Sequence, residues 1–399
     1  MQVLWIGCWE SEEEFERKAD KGYNLAAAQV SQTGLINGIE QVSGLSMDSI
    51  NGSVLPPYPV YKDRIVEEVV WSHREDAYDI SVGYKNDKYI NRVNCKNAML
   101  SAAAKWIKTR YQGGELQVLV YSMRSAPMAT ACYIKRKIPN AKIHLIITDL
   151  PQFMDLGQSK LKAALKKIDW LSIQRMQKKF DSFILFAEKM ADYLKIPKDK
   201  WMLMEGSYDK GNSEAADQSD KKKAIMYSGR LDVEYGIPML LEAFTQIEDP
   251  EAQLWLTGGG NAVDQIKDAA EKDPRIKFYG FLPKREDVIV LQRQASLLIN
   301  MRLPMEEASN YCFPSKLFEY MASGVPVLTF LLGGIPQEYR DYLYMLDECD
   351  VKSLSGGIQK ILSIPEEDLI QKGKKAKEFI LSEKTSAKQS ARIVEFICK

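Results

Sequence analysis

FPSKLFEYMASGVPVL, residues 313–328, is the stretch on which the reading of this chain turns. Leu317, Phe318, Met321 and Ala322 recur at helical spacing and define one apolar face, while Lys316, Glu319 and Ser323 share the other. Pro314 suits a first turn; Ser323-Gly324 followed by Pro326 suits an end. The apolar run VPVLTF (325–330) follows at once, as in a strand buried on both faces. A short helix is therefore predicted at the mouth of a buried sheet. It carries an ammonium and a carboxylate three positions apart, and its free N-terminal amides suit phosphate or sugar hydroxyls. On an ordinary surface the same pair contributes only about 0.2–0.5 kcal/mol and needs no function.

The rest of the chain supplies the context. Behind VPVLTF stand AIMYSG (224–229), AQLWLTG (252–258), RIKFYG (275–280) and SLLINM (296–301), and YLYMLD (342–347) follows. Each is a continuous apolar run followed by a helical pattern, the mark of a parallel sheet covered on both faces. The first half repeats the scheme in QVLWIG (2–7), LQVLVYS (116–122), IHLIITD (143–149), SFILFA (182–187) and WMLMEG (201–206). Residues 207–223, SYDKGNSEAADQSDKKK, are polar and charged and suit a linker. The expected architecture is α/β, two doubly wound parallel-sheet (Rossmann-like) domains facing across a cleft. Domain bounds are expected at 1–206 and 224–385, with the helical segment 386–399 crossing back to the first domain. Ligands of such sheets bind beyond the carboxyl ends of the strands.

Composition narrows the function classes. The chain has 399 residues, 54 Lys plus Arg and 54 Asp plus Glu, which argues against a protein devoted to coating nucleic acid. No apolar run reaches the roughly 20 residues of a membrane helix. MQVLWIGCWE reads as a first strand, not a leader, so a cytoplasmic location is expected. Six cysteines show no Cys-x-x-Cys spacing, and there are two histidines, His73 and His144, so no zinc site is expected. No Gly-x-Gly-x-x-Gly follows the first strand, which removes the main support for a dinucleotide oxidoreductase.

With these residues in place, 313–328 resembles the donor-site segment of GT-B glycosyltransferases, above all the large retaining group (group 1, family four) that builds bacterial glycans. The resemblance implies that Glu319 holds the donor ribose and that Phe313 lies two positions after the family's first glutamate. Tyr311 stands in place of that glutamate, with Cys312 beside it, and Glu306 and Glu307 lie close upstream. YSGRLDVEYGIPMLLEAF (227–244) is similar to the segment that opens the family's second domain, implying diphosphate roles for Gly229 and Arg230. The family's lysine is replaced by Tyr235, and Lys316 or Arg302 is the expected substitute cation. LTGGGN (256–261), with Gly258 and Gly259, matches the glycine-rich turn; Phe281 and Leu282 in RIKFYGFLP (275–283) match the segment whose backbone meets the base.

In the first domain, Asp149 ends a buried strand, where a carboxylate is placed for catalysis or substrate orientation. The family commonly has His-Asp there; this chain has Thr148-Asp149, and His144 is expected to be a packed core histidine. Gly22 matches the glycine-bearing loop of the family's first domain, and Glu205 is an acceptor-side candidate or a linker anchor.

The expected activity is transfer of a sugar from a nucleotide-diphosphate sugar, UDP-sugar favoured, to a glycan or lipid-linked acceptor, with retention implied by the family. The transition state has oxocarbenium character. Arg230 and Lys316 would stabilise the departing diphosphate, Asp149 would serve the acceptor or sugar side, and neither cofactor nor metal is expected. Two alternatives stay open: a catalytically degenerate GT-B subunit that stabilises a partner enzyme, and a sugar-nucleotide epimerase. The lysine-rich run 160–179 reads as a solvated amphipathic helix packed on the first sheet. Peripheral contact with the inner membrane face is the other reading of that run.

Overall fold

The computed structural model of the protein describes residues 1–21, 25–153, 160–208, 222–304 and 307–399, the side chains of 160–165 excepted. The chain divides into two compact units, Met1–Ser207 with Ser386–Lys399, and Tyr208–Thr385.

The strands of the first unit are β1 (Gln2–Gly7), β2 (Met47–Asn51), β3 (Ile65–Val66), β4 (Val69–Trp71), β5 (Asp79–Ser81), β6 (Tyr84–Lys85), β7 (Leu116–Tyr121), β8 (Lys142–Ile147), β9 (Ser182–Leu185) and β10 (Trp201–Leu203). Eight form one sheet in the order β10-β9-β8-β7-β1-β2-β5-β4, parallel except for the β4–β5 pair. β3 and β6 make a separate antiparallel ribbon. Val3, Trp5, Leu119, Tyr121 and Ile146 face Leu35, Ile36 and Ile39 of helix Ala26–Ser43 and Ile393 and Ile397 of helix Ser386–Ile397. That last helix therefore belongs to the first unit's core although it follows the second unit in sequence.

β2 departs from the apolar pattern: MDSIN is buried at every position although three of its residues are polar. Each of the three has partners. The Asp48 carboxylate accepts from Trp106 Nε1 at 2.6 Å, Arg110 Nη2 at 3.1 Å and Tyr78 N at 2.9 Å. Ser49 Oγ donates to Asp79 Oδ1 at 2.5 Å, and Asn51 Nδ2 donates to Ser49 Oγ at 2.8 Å. The chain continues through Asp79 Oδ2, 2.7 Å from His73 Nδ1, to Glu40, whose Oε1 lies 3.2 Å from His73 Nε2. Buried polar groups persist where every member of such a network is satisfied.

The second unit holds β11 (Lys222–Arg230), β12 (Gln253–Gly259), β13 (Ile276–Gly280), β14 (Ala295–Asn300), β15 (Val327–Phe330) and β16 (Tyr344–Leu346). Their order is β13-β12-β11-β14-β15-β16, all parallel. Winding reverses between β11 and β14, so the carboxyl ends of these two strands bound the crevice in which such sheets take ligands. β11 already includes Lys222 and Lys223, which the sequence reading had given to the linker; residues 209–221 of that linker lie outside the described residues.

Candidate functional site

The crevice between β11 and β14 is built around Ser228, the last buried residue of β11. Tyr320 Oη accepts from Ser228 N at 2.9 Å and lies 3.0 Å from its carbonyl oxygen, to which it donates. Lys316 Nζ donates to the same carbonyl at 2.5 Å. Gln292, wholly buried on helix Arg285–Gln294, donates through Nε2 both to Ser228 Oγ at 3.1 Å and to Glu319 Oε1 at 2.7 Å. Arg285 Nε lies 3.6 Å from Glu319 Oε2 on the outer side. Lys316 and Glu319, neighbours on one helical face, are turned to different partners: the ammonium to the strand end, the carboxylate to Gln292 and Arg285. Helix Lys316–Ala322 buries Leu317, Phe318, Tyr320, Met321 and Ala322, so only its Lys316–Glu319–Ser323 side is left to face the crevice.

Burial of the Lys316 ammonium lowers its pKa, partly opposed by Glu319 and aided by Arg285. An ammonium has three donors. One is engaged by Ser228, which leaves two to meet an anion.

Two glycines let the strand ends come this close. Gly229 has φ 148°, and a Cβ there would stand 3.1 Å from Lys316 Nζ; Gly258 has φ 138°, and a Cβ there would stand 1.7 Å from Gly229 O. Beyond them Arg230 is 71% exposed, ion-paired to buried Asp232, with its guanidinium 5.9 Å from the Tyr235 ring centre. Asp232 Oδ1 also accepts from Asn261 N at 2.7 Å, tying the loops after β11 and β12 together. Arg230 is thus held by a carboxylate of its own turn and is less available to a diphosphate than the sequence reading supposed.

The remaining candidates are distributed less evenly. Phe313 is core, not a substrate contact: it is buried with its ring centre 4.9 Å from Phe318 and 5.0 Å from Tyr339. Tyr311 closes the turn Glu307–Tyr311 and is half-buried, as are Cys312 and Arg302, while Glu307 is exposed. Phe281 projects into solvent just past β13, and Leu282 is half-buried. Gly259 has open space around the position of a Cβ. Gly22 and Glu306 lie outside the described residues.

In the first unit Asp149 is half-buried two residues beyond β8, and Glu205 is buried just past β10. His144 is a core residue as expected, with Nδ1 2.7 Å from Ser182 Oγ and Nε2 2.7 Å from Gln117 Oε1; burial lowers its pKa to about 4. Among the described residues no three of His, Cys, Asp or Glu converge as a metal site would require.

Ser228, Tyr320, Gln292 and Arg285 were not singled out by the sequence reading. Gln292 had a signal: it falls three positions after Ile289 on the buried stripe of its helix, where a glutamine is out of place unless bonded. Ser228 and Tyr320 had none, since a strand-end serine and a helical tyrosine are ordinary.

Comparison with solved structures places this fold among known enzymes. Sucrose-phosphate synthase from Thermosynechococcus elongatus superposes with a TM-score of 0.63 at 16% identity, covering 100% of this chain and 99% of that one. HepE of Anabaena, in complex with UDP, gives 0.65 at 10% identity over 100% of both chains. TarM of S. aureus, in a complex with fondaparinux, α-GlcNAc-glycerol and UDP, gives 0.59 at 10% identity, again over 100% of both. Likenesses at such identities establish the fold. Residues 210–378 match the sequence model of the family described as glycosyl transferases group 1. No match was found among curated protein sequences. The chain therefore has the GT-B fold of these solved structures. The matched residues fall within the second unit, Tyr208–Thr385, which is similar to the group 1 glycosyl transferases.

Proposed function

We propose that this chain is a glycosyltransferase that moves a sugar from a nucleotide-diphosphate donor, a UDP-sugar by preference, to a glycan or lipid-linked acceptor with retention of anomeric configuration, in the assembly of a bacterial polysaccharide or cell-surface glycan. The observation that carries the donor half is the convergence of Lys316 and Glu319 on the β11–β14 crevice, each oriented by a buried partner, Ser228 and Gln292 respectively. In this reading Glu319 accepts from the donor ribose, and Lys316 directs its remaining donors at the diphosphate. Arg285 and Arg302 supplement the charge that Arg230 shares with Asp232, and Asp149 serves the acceptor side. A preorganised cation is most effective where negative charge grows on the leaving group. The reading calls on no metal and no cofactor. UDP in the structures of HepE and TarM supports the choice of donor nucleotide.

The test is a thermal-shift panel with UDP, GDP, dTDP and CMP on the wild type and on Glu319→Ala. A nucleotide at 100 times its Kd stabilises the folded state by about 2.7 kcal/mol. A shift with one nucleoside diphosphate, absent in the variant, is the expected outcome. Equal shifts in both proteins would remove Glu319 from the donor site. No shift with any nucleotide would favour a degenerate subunit.

A further inference from the structure

A cavity of about 480 Å³ opens in the first unit at the amino ends of β9 and β10, within the roughly 300–1,000 Å³ typical of small-molecule sites. Its walls come from the last turns of helices Lys160–Gln177 and Lys189–Leu194, from the turn into β9 and from the segment 195–200 that leads into β10. β8, β9 and β10 run parallel, so Asp149 and Glu205, just past the carboxyl ends of β8 and β10, lie at the opposite end of the sheet. The cavity shares no residue with the acceptor-side candidates or with the β11–β14 crevice.

The floor is apolar. Phe180, Phe183, Leu194 and Ile196 line it and all four are buried, with the two phenylalanine ring centres 6.3 Å apart. Leu171 extends this surface to the mouth, where it is 44% exposed, while Ile173 of the same helix is buried. No described helix is long and apolar enough to cross a membrane.

The mouth is cationic. Arg175, Lys178, Lys195 and Lys200 line the cavity and are exposed, and no carboxylate lines it. None of the four has an ion-pair or hydrogen-bond partner among the described residues. Asp181, the acid next to Phe180, is taken by Lys135 at 2.7 Å. Cations near helix C-termini ordinarily answer the free carbonyls and the dipole there. Here those carbonyls have other donors. Leu194 O accepts from Gln177 Nε2 at 2.9 Å, and Asp192 O and Ala191 O accept from Lys195 N at 3.1 Å and Ile196 N at 2.9 Å. Met176 O and Gln177 O accept from Lys179 N at 2.9 Å and Phe180 N at 3.1 Å. Both helix ends are closed without the four charged heads, which are left to act together on whatever enters. A hollow lined by one sign of charge over an apolar wall concentrates ions of the opposite sign.

We propose that this cavity binds a small amphipathic anion, its apolar body lying on Phe180, Phe183, Leu194 and Ile196 and its phosphate, sulfonate or carboxylate held by Arg175, Lys178, Lys195 and Lys200. A neutral apolar molecule would leave the cations unanswered, and an inorganic anion would leave the phenylalanine floor uncovered. The proposal uses no residue assigned to donor or acceptor and is independent of the glycosyl-transfer reading.

The experiment follows the fluorescence of anilinonaphthalene sulfonate, a fused apolar ring system with one sulfonate, on the full chain. One saturable site is expected, weakened by salt. Naphthyl phosphate should displace the dye at far lower concentration than naphthol or inorganic phosphate. Lys178→Ala/Lys200→Ala should raise the Kd by about tenfold or more, as expected for lost charge-assisted hydrogen bonds. Gln174→Trp, at an exposed position of the wall, should abolish binding by filling the space. Unchanged thermal unfolding shows that the variants are folded, and Arg175→Gln/Lys178→Gln replaces the lysine pair if that pair is not. Absence of a saturable site, or wild-type affinity in either variant, overturns the proposal. So does displacement by naphthol or inorganic phosphate as effective as by naphthyl phosphate, or displacement by UDP that Glu319→Ala abolishes, which would assign the dye to the β11–β14 crevice.

Discussion

Lys316 Nζ meets the carbonyl oxygen of Ser228 at 2.5 Å, joining the start of one short helix to the end of a strand 88 residues earlier. The ammonium is thereby fixed in direction while two of its three donors stay unused by that carbonyl. The same carbonyl also accepts from Tyr320 Oη at 3.0 Å. Removing the lysine therefore leaves no orphaned acceptor, which separates its structural part from its part in binding.

Lys316→Met should accordingly fold with nearly wild-type stability yet bind UDP poorly. Charge-assisted hydrogen bonds contribute about 1.5–3 kcal/mol each, so a rise in Kd of about 10- to 100-fold is expected by titration calorimetry. An unchanged Kd would place the diphosphate elsewhere in the crevice.

If Lys316 meets the donor diphosphate as proposed, its lowered pKa should give donor binding an alkaline limit. Burial favours the neutral amine, so the charged form that attracts a diphosphate is lost at a lower pH than for a free lysine. UDP affinity should fall on the alkaline side, and in Lys316→Arg that fall should recede, because a guanidinium stays charged there. Superimposable pH profiles for the two proteins would show that another group titrates.

Gln292 acts through Glu319. In Gln292→Leu the partly exposed carboxylate loses its inner donor and buried Ser228 Oγ loses one of its partners. A loss of about 1–3 kcal/mol in unfolding free energy is expected for buried polar groups left unmade. UDP should bind more weakly, whereas inorganic pyrophosphate, which has no ribose for Glu319 to hold, should bind as in wild type. Equal weakening of both ligands would mean that the crevice as a whole had relaxed.

The alternation of buried runs with helices was legible because strands of a doubly covered parallel sheet cannot hide their composition. LQVLVY and KIHLII contain little else than apolar residues, and both are strands. MDSIN escaped notice because the partners that let Asp48, Ser49 and Asn51 enter the core lie as far away as Trp106 and Arg110, and no local pattern announces them. The site behaved alike. Lys316 and Glu319 were visible as charges on a helix otherwise apolar, but spacing alone could not show that separate tertiary partners, Ser228 and Gln292, claim them. Phe313 was misread for the same reason: its position next to a family motif says nothing about Phe318 and Tyr339 closing over its ring.

His73 sets the alkaline limit of stability. Burial alone would lower its pKa, but Asp79 and Glu40 outweigh that and raise it from 6.5 to about 9. A histidine whose folded pKa is raised stabilises fully below its unfolded value and loses that contribution as pH rises through the folded one. Thermal stability should therefore decline between about pH 6.5 and pH 9, and His73→Gln should flatten that decline. Parallel curves for the two proteins would dismiss the Asp79–His73–Glu40 network as the cause.

Gly258 and Gly259, adjacent at the end of β12, should respond in opposite ways to the same substitution. At Gly258 an alanine Cβ would stand 1.7 Å from Gly229 O on a backbone at φ 138°, so either the β11–β12 pairing or the turn must give way. The clash is with backbone, which has little room to yield, and a destabilisation of about 3 kcal/mol or more is expected from such combined strain and overpacking. At Gly259 nothing lies within 4 Å of a built Cβ. Gly259→Ala should change urea-unfolding free energy by less than about 1 kcal/mol, with a small gain from reduced freedom of the unfolded chain. If Gly259→Ala nonetheless weakens UDP binding while leaving stability intact, the open space above that residue is where the donor approaches the backbone. If Gly258→Ala is as stable as wild type, the β11 and β12 ends are not packed as closely as Gly229 O and the Gly258 backbone require.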